Sequence, residues 1–212
     1  MQRIRIIKES EDWLALDKPL GVSIHNRPGA DLNSFILSNC KNLPKPYPVN
    51  RLDSGTTGLV LFAKNAKTAK YLSQIFEKRE VTKTYLARVH TLKNTPHKGD
   101  QGLWRWPLTN RAEGRSNPKG FWKKRIPCQT EWEVLNTMEK TADLRINLLT
   151  GRKHQIRRHS AIFGWPIMGD PRYGPLELQE FGAGNLIAKK LTFLDPCSLT
   201  EVTIESQYSL EH

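Results

Sequence analysis

Residues Asn50 to Gly58 form a polar stretch, Asn-Arg-Leu-Asp-Ser-Gly-Thr-Thr-Gly, that runs straight into Leu59-Val60-Leu61-Phe62-Ala63. A continuous apolar run of this length is typical of a buried strand, so the chain must build a core around it. The loop before it is then held at the edge of a rigid element, where polar side chains can be presented. The surrounding pattern is strand-rich. Residues 3–7 and 12–17 read as short strands, the second ending at the turn Lys18-Pro19-Leu20-Gly21. Residues 31–40 predict a helix stopped by the proline-rich Leu43-Pro44-Lys45-Pro46-Tyr47-Pro48. Ala69, Leu72 and Phe76 at helical spacing predict a second helix over 66–79.

Val81 to His90 alternates like a strand and carries Lys83-Thr84-Tyr85. Residues 93–127, rich in Gly, Pro, Arg and Lys, read as an exposed excursion, and an excursion of that length is usually functional or mobile. Strands follow around 129–136 and 143–149. The turn Thr150-Gly151-Arg152 leads into a helix from about 154 to 163, with Ile156, Ser160 and Phe163 on its inner face and Gly164 as its stop. Pro166 to Gly174 is turn-rich, and strands over 186–193 and 201–206 close the sheet. Strands with helices between them make the class α+β. With 212 residues the chain is long enough for one core and at most a small appended lobe.

The 33 Lys+Arg against 21 Asp+Glu leave a formal charge of +12, which makes a polyanion the leading partner class. From Arg105 to Arg125 seven basic residues and one acid are interleaved with Trp104, Trp106, Phe121 and Trp122. Arg111, Arg115, Lys123 and Lys124 are the candidate RNA contacts in this stretch. The aromatics suit base stacking, although they also suit a core. No apolar run approaches the roughly 18 residues of a membrane span, and the N-terminus lacks the features of a signal peptide. The three cysteines are scattered and odd in number, which fits reduced thiols in the cytoplasm. The terminal Leu210-Glu211-His212 resembles the stub of an affinity-tag linker.

Asp53 is the first candidate for chemistry, with the turn-stabilising role of an Asx residue as its alternative. Tyr85 on its strand is alternatively a half-buried core tyrosine, and Arg157 alternatively a solvated charge. A cation beside Asp53 would keep the carboxylate ionised, as a nucleophile requires. No metal site is expected: His154 and His159 are five apart, off a common helix face, and no His-Glu-x-x-His occurs. Hydrolase, dinucleotide and phosphate-loop motifs are missing too, and isolated acids do not suit a two-metal nuclease.

Asn50 to Lys64 closely resembles the catalytic motif of the RluA-type pseudouridine synthase family, His-Arg-Leu-Asp-x-x-Thr-Ser-Gly followed by an apolar strand and Ala-Lys. Three further blocks match in the family's order: Leu16-Asp17-Lys18-Pro19-Leu20-Gly21-Val22, Lys83-Thr84-Tyr85-Leu86-Ala87, and Leu149 to Arg157 continuing to Gly169-Asp170-Pro171-Arg172-Tyr173-Gly174. The sequence departs from the motifs at Asn50, where histidine is usual, at Thr57, where serine is, and at Asp17, where asparagine is common. The resemblance implies a mixed, largely antiparallel central sheet with flanking helices and loops, and one catalytic domain over residues 1–209 with no room for a separate N-terminal RNA-binding domain.

It also implies residue roles. Asp53 is the catalytic aspartate, Tyr85 packs on the uracil and is a candidate base, and Arg157 pairs with Asp53. Arg51 helps hold the extruded nucleotide, with Thr56, Arg152, His154 and Ile156 as further substrate contacts. The reaction needs no cofactor: the uracil leaves the ribose at N1, rotates and rejoins through C5. The target uridine must first leave its stack, at a cost of a few kcal/mol. The expected partner is a structured ribosomal or transfer RNA, met by a monomer with no membrane attachment. The rival is a non-catalytic RNA-binding or RNA-folding protein on the same scaffold. A DNA-binding regulator lacks a groove-reading motif.

Overall fold

The computed structural model describes residues 4–25, 29–40, 45–111, 113–178 and 184–210. In chain order, β1 (Arg5–Glu9) and β2 (Trp13–Lys18) precede helix α1 (Leu32–Asn39), and β3 (Tyr47–Pro48) and β4 (Thr57–Ala63) precede α2 (Ala66–Glu77). There follow β5 (Thr82–His90), β6 (Gln101–Trp104), β7 (Thr130–Met138), β8 (Thr141–Leu148), α3 (Gln155–Phe163), β9 (Leu186–Leu194) and β10 (Glu201–Glu205). The α+β class is as expected. The chain divides into two compact units, residues 1–83 with 188–209 and residues 84–187 with 210–212.

In the first unit the strand order is β1-β2-β4-β9, with β10 on β9 and β3 on β4. The pairs β1–β2, β2–β4, β3–β4 and β9–β10 are all antiparallel. All seven residues of β4 are buried, and the reason is visible in what covers each face. Successive side chains of a strand point to opposite sides. Leu59, Leu61 and Ala63 join Trp13 and Ala15 of β2 in a core with Leu72 and Ile75 of α2. Val60 and Phe62 join Leu14 and Leu16 in a second core with Leu32 and Ile36 of α1. A helix on each face explains an apolar run with no alternation.

Both helices start on side-chain caps. Asp31 accepts from the Ser34 N–H at 2.8 Å, and Asn65 from the Thr68 N–H at 2.9 Å; a cap of this kind is worth about 1 kcal/mol. β4 also needs Gly58, whose φ is 103° and whose Cβ, if it had one, would lie 2.4 Å from the carbonyl oxygen of Ala188 in β9. Helix α1 ends at Asn39, while Leu43 and Pro44 of the expected stop lie outside the described residues.

In the second unit the order is β5-β8-β7-β6, again antiparallel. Helix α3 ends at Gly164, as the sequence predicts. The structure departs from the expected exposed excursion at its start. Gln101–Trp104 is a strand on β7, and Trp104 is only 2% exposed. Its ring packs 5.9 Å from Trp132 and 5.7 Å from Phe163, and Phe163 meets Trp165 edge-on at 4.6 Å. Trp106 joins the same cluster, 6.1 Å from Phe163. Trp104 is therefore a core residue of this unit, and Trp106 packs half-buried at the edge of the same cluster. Glu211 and His212 of the expected tag stub lie outside the described residues.

Candidate active site

Asp53 sits, half-buried, in the turn that delivers the chain into β4. The turn closes through main chain: the Thr56 N–H donates to the Asp53 carbonyl at 3.0 Å. Two neighbours hold it against the first unit. The Asn50 side chain pairs with β4 as a peptide group would, its Oδ1 accepting from the Leu61 N–H (2.8 Å) and its Nδ2 donating to the Leu59 carbonyl (3.2 Å). Asn50, the departure from the family's histidine, is thus a support for the loop.

The second hold comes from the Lys18-Pro19-Leu20-Gly21 turn. The Gly21 N–H donates to the Ser54 carbonyl at 2.9 Å. The Lys18 ammonium, itself fully buried, donates to the carbonyls of Pro19 (2.9 Å), Val22 (3.0 Å) and Ser54 (3.4 Å). Burial pushes the Lys18 pKa down to about 8, against the negative charge of Asp53, which favours the ammonium. A cation within electrostatic reach of Asp53 is therefore built into the same unit. Of the other residues expected here, Arg51 is exposed and Thr56 is buried.

The remaining sequence candidates lie in the second unit. Tyr85 is 8% exposed on β5, opposite Ile146 of β8. Arg157 on α3 is no solvated charge: its Nε and Nη2 bind both carboxylate oxygens of Asp170, each at 2.7 Å. Its guanidinium also lies 5.2 Å from the Tyr173 ring centroid. Asp170 further accepts from the main-chain N–H groups of Arg172 (2.9 Å) and Tyr173 (3.1 Å). His154 stands in the left-handed region at φ 55°, a conformation histidine tolerates better than most residues, and its Nδ1 is 3.0 Å from the Tyr173 hydroxyl. Arg157, Asp170, Tyr173 and His154 are thereby one connected group.

The turn before α3 is fixed by Gln155, 2% exposed, whose Oε1 accepts from the Arg152 N–H (3.0 Å) and the Thr150 hydroxyl (2.8 Å). Arg152 reaches Asn110 at 3.4 Å, and Ile156 is buried. His159 sits among structural partners: its ring nitrogens face the Thr130 hydroxyl (2.9 Å) and the Trp106 carbonyl (2.8 Å), with the Cys128 Sγ 3.4 Å from Nε2. In the excursion Arg111, Arg115, Lys123 and Lys124 are all exposed, and the Arg115 guanidinium also donates to the carbonyls of Gly174 and Pro171.

Sequence reasoning gave no role to Lys18, Asp170 or Tyr173, although all three lie within the matching blocks. It also passed over Arg158, which differs from Arg157 only in the direction it leaves the helix.

Residues 12–161 match the protein family described as RNA pseudouridylate synthase. The chain belongs to that family. Members of the RNA pseudouridylate synthase family are isomerases that make pseudouridine from uridine, the enzyme class expected from the sequence. The dual-specificity RNA pseudouridine synthase RluA of Vibrio cholerae is 34% identical over 92% of this chain and 79% of its own length. Ribosomal large subunit pseudouridine synthase D of Haemophilus ducreyi is 30% identical over 81% of this chain, which spans only 53% of that relative. Human RNA pseudouridylate synthase domain containing 1 shares the fold, with a TM-score of 0.77 at 20% identity over 99% of this chain and 91% of that one. No helix among the described residues is long and apolar enough to cross a membrane.

Proposed function

We propose that this chain isomerises a particular uridine of a structured ribosomal or transfer RNA, with Asp53 as the catalytic aspartate. The observation that carries the proposal is the Asp53 turn: a carboxylate at the entrance to a fully buried strand, held by Asn50 and Gly21, with the buried Lys18 cation in electrostatic reach. A carboxylate so placed suits work at the sugar or the base, where a nucleophile or an eliminating group must stay charged. Tyr85 and Arg157 are assigned to the same reaction, with Asp170 and Tyr173 fixing the direction of the Arg157 guanidinium. Arg51, Thr56, Arg152, His154 and Ile156 are the accompanying substrate contacts. The bond from ribose to N1 breaks, the uracil rotates, and a bond to C5 replaces it. The proton displaced from C5 is matched by one gained at N1, so the reaction consumes no oxidant and calls for no cofactor.

Mapping pseudouridine in ribosomal and transfer RNA tests this directly. Cells lacking the gene are supplied with either the wild type or Asp53→Ala. The expected result is a site that disappears without the gene and returns with the wild type alone. Return of the site with Asp53→Ala, or the lack of any gene-dependent site, overturns the proposal. The first of those outcomes favours the rival, an RNA-binding protein without catalysis, which has the exposed cationic Phe121–Lys124 segment in its support.

A further inference from the structure

Residues 107–126 leave the core and return to it through paired main chain, Leu108 N–H to the Ile126 carbonyl at 3.1 Å and Ile126 N–H to the Leu108 carbonyl at 2.9 Å. Within the loop the Thr109 N–H donates to the Lys119 carbonyl (3.2 Å) and the Arg125 Nε to the Gly120 carbonyl (2.8 Å). Gly120, at φ 76°, packs so tightly that a Cβ there would lie 2.0 Å from the Thr109 hydroxyl oxygen. From below, Arg158 of α3 inserts a fully buried guanidinium. It donates to the carbonyls of Thr109 (2.7 Å), Lys119 (3.0 Å), Lys153 (3.3 Å) and Pro118, and to the Thr109 hydroxyl (3.1 Å). The loop is an anchored structure.

Its tip nevertheless leaves two large rings in water. Phe121, just before the short turn Trp122–Lys124, is 67% exposed, and Trp122 within it is 71% exposed. The tip is tethered with these rings outward, so the burial that large apolar side chains favour is left unrealised at both. The chemistry around them is cationic. The Lys123 ammonium lies 5.3 Å from the Trp122 ring centroid, and Lys124 is exposed beside it. The nearby acid, Glu113, is taken up within the loop by the Asn117 amide (2.6 Å) and the Phe121 N–H (3.4 Å).

We infer that Phe121 and Trp122 form a stacking platform for unpaired nucleobases of the RNA, with Lys123 and Lys124 meeting the flanking phosphates. Flat apolar faces beside cations match a ligand that alternates flat bases with negative charge, and only unpaired bases offer their faces. This rests on the RNA reading of the protein and adds what that reading lacks, the strandedness of the RNA met at this surface and the residues that sense it.

The test measures affinity of the full chain for a short oligouridylate and for a fully paired RNA duplex, using the wild type, Phe121→Ala/Trp122→Ala and Asp53→Ala. Both rings are exposed, so thermal unfolding of the double variant should match the wild type and certify its fold. Base–aromatic stacking is worth about 1–3 kcal/mol per base, so the double variant should bind oligouridylate about tenfold or more weakly. Its affinity for duplex should change far less, and its salt slope on oligouridylate should stay that of the wild type. Asp53→Ala should bind both RNAs normally, so failure of the catalytic assignment leaves the platform result readable. Equal losses on both RNAs, or no loss on either, overturn the platform. So does wild-type binding to phosphatidylglycerol vesicles that the double variant loses without any loss on oligouridylate, which would make the tip a lipid contact.

Discussion

His159 shows how much a single residue's surroundings decide. Burial against Trp106 and Thr130 pushes its pKa down from 6.5 to about 4, with the Arg158 charge adding to the effect and the Trp106 carbonyl opposing it. The unfolded chain takes up the proton at about pH 6.5 and the folded one only near 4, so His159 contributes stability that is full above 6.5 and lost as the pH falls toward 4. At pH 5 the loss is about 2 kcal/mol. Thermal unfolding at pH 7 and pH 5 should therefore show a smaller acid penalty in His159→Gln than in the wild type, and an equal penalty would mean the ring is not the acid-sensitive group. Residue identity alone could not reveal this. It could not separate Arg157 from Arg158 either: adjacent arginines on one helix, one gripping Asp170 and the other filling a nest of carbonyls. Asp53, equally, reads from sequence as a turn residue, and the Lys18 cation and the Asn50 brace that surround its loop come into view only in the folded chain.

At the level of elements, legibility followed local pattern. β4 could be read because five apolar residues in a row have few other uses, and α2 because its spacing is regular. β6 could not, since Gln101-Gly102-Leu103-Trp104 has no pattern of its own and becomes a strand only by pairing with β7, Gly102 opposite Trp132. The 107–126 loop was legible as basic and aromatic but not as anchored, because the anchor lies some forty residues away. Arg158→Met should expose that anchor. It leaves the Thr109 and Pro118 carbonyls short of a donor, at about 1–3 kcal/mol for a buried group left unsatisfied, while the Lys119 carbonyl keeps only the Thr109 N–H. Native-state trypsin should then cut at Lys119, Lys123 or Lys124 several-fold faster than in the wild type; an unchanged rate would show that the loop is held by its own bonds.

For the molecule as a whole, the formal charge of +12 sets how association should respond to salt. All four cations expected to take part, Arg111, Arg115, Lys123 and Lys124, are exposed, and what sets Arg115 apart is that its guanidinium already donates to the Gly174 and Pro171 carbonyls. Replacing Arg111, Lys123 and Lys124 with alanine should flatten the log–log salt dependence of oligouridylate affinity by about two units, at roughly 0.7 per phosphate on single strands. Arg115→Ala should flatten it less. A slope that stays put would make these cations ordinary surface charge. The Arg158 guanidinium holds the loop through its backbone. It grips peptide oxygens and a single threonine hydroxyl, so it is blind to which side chains stand at 121–124. The tip can be rewritten like an interchangeable cassette while its mount stays in place. New RNA preferences can then be drafted there without altering a letter of the turn that carries Asp53.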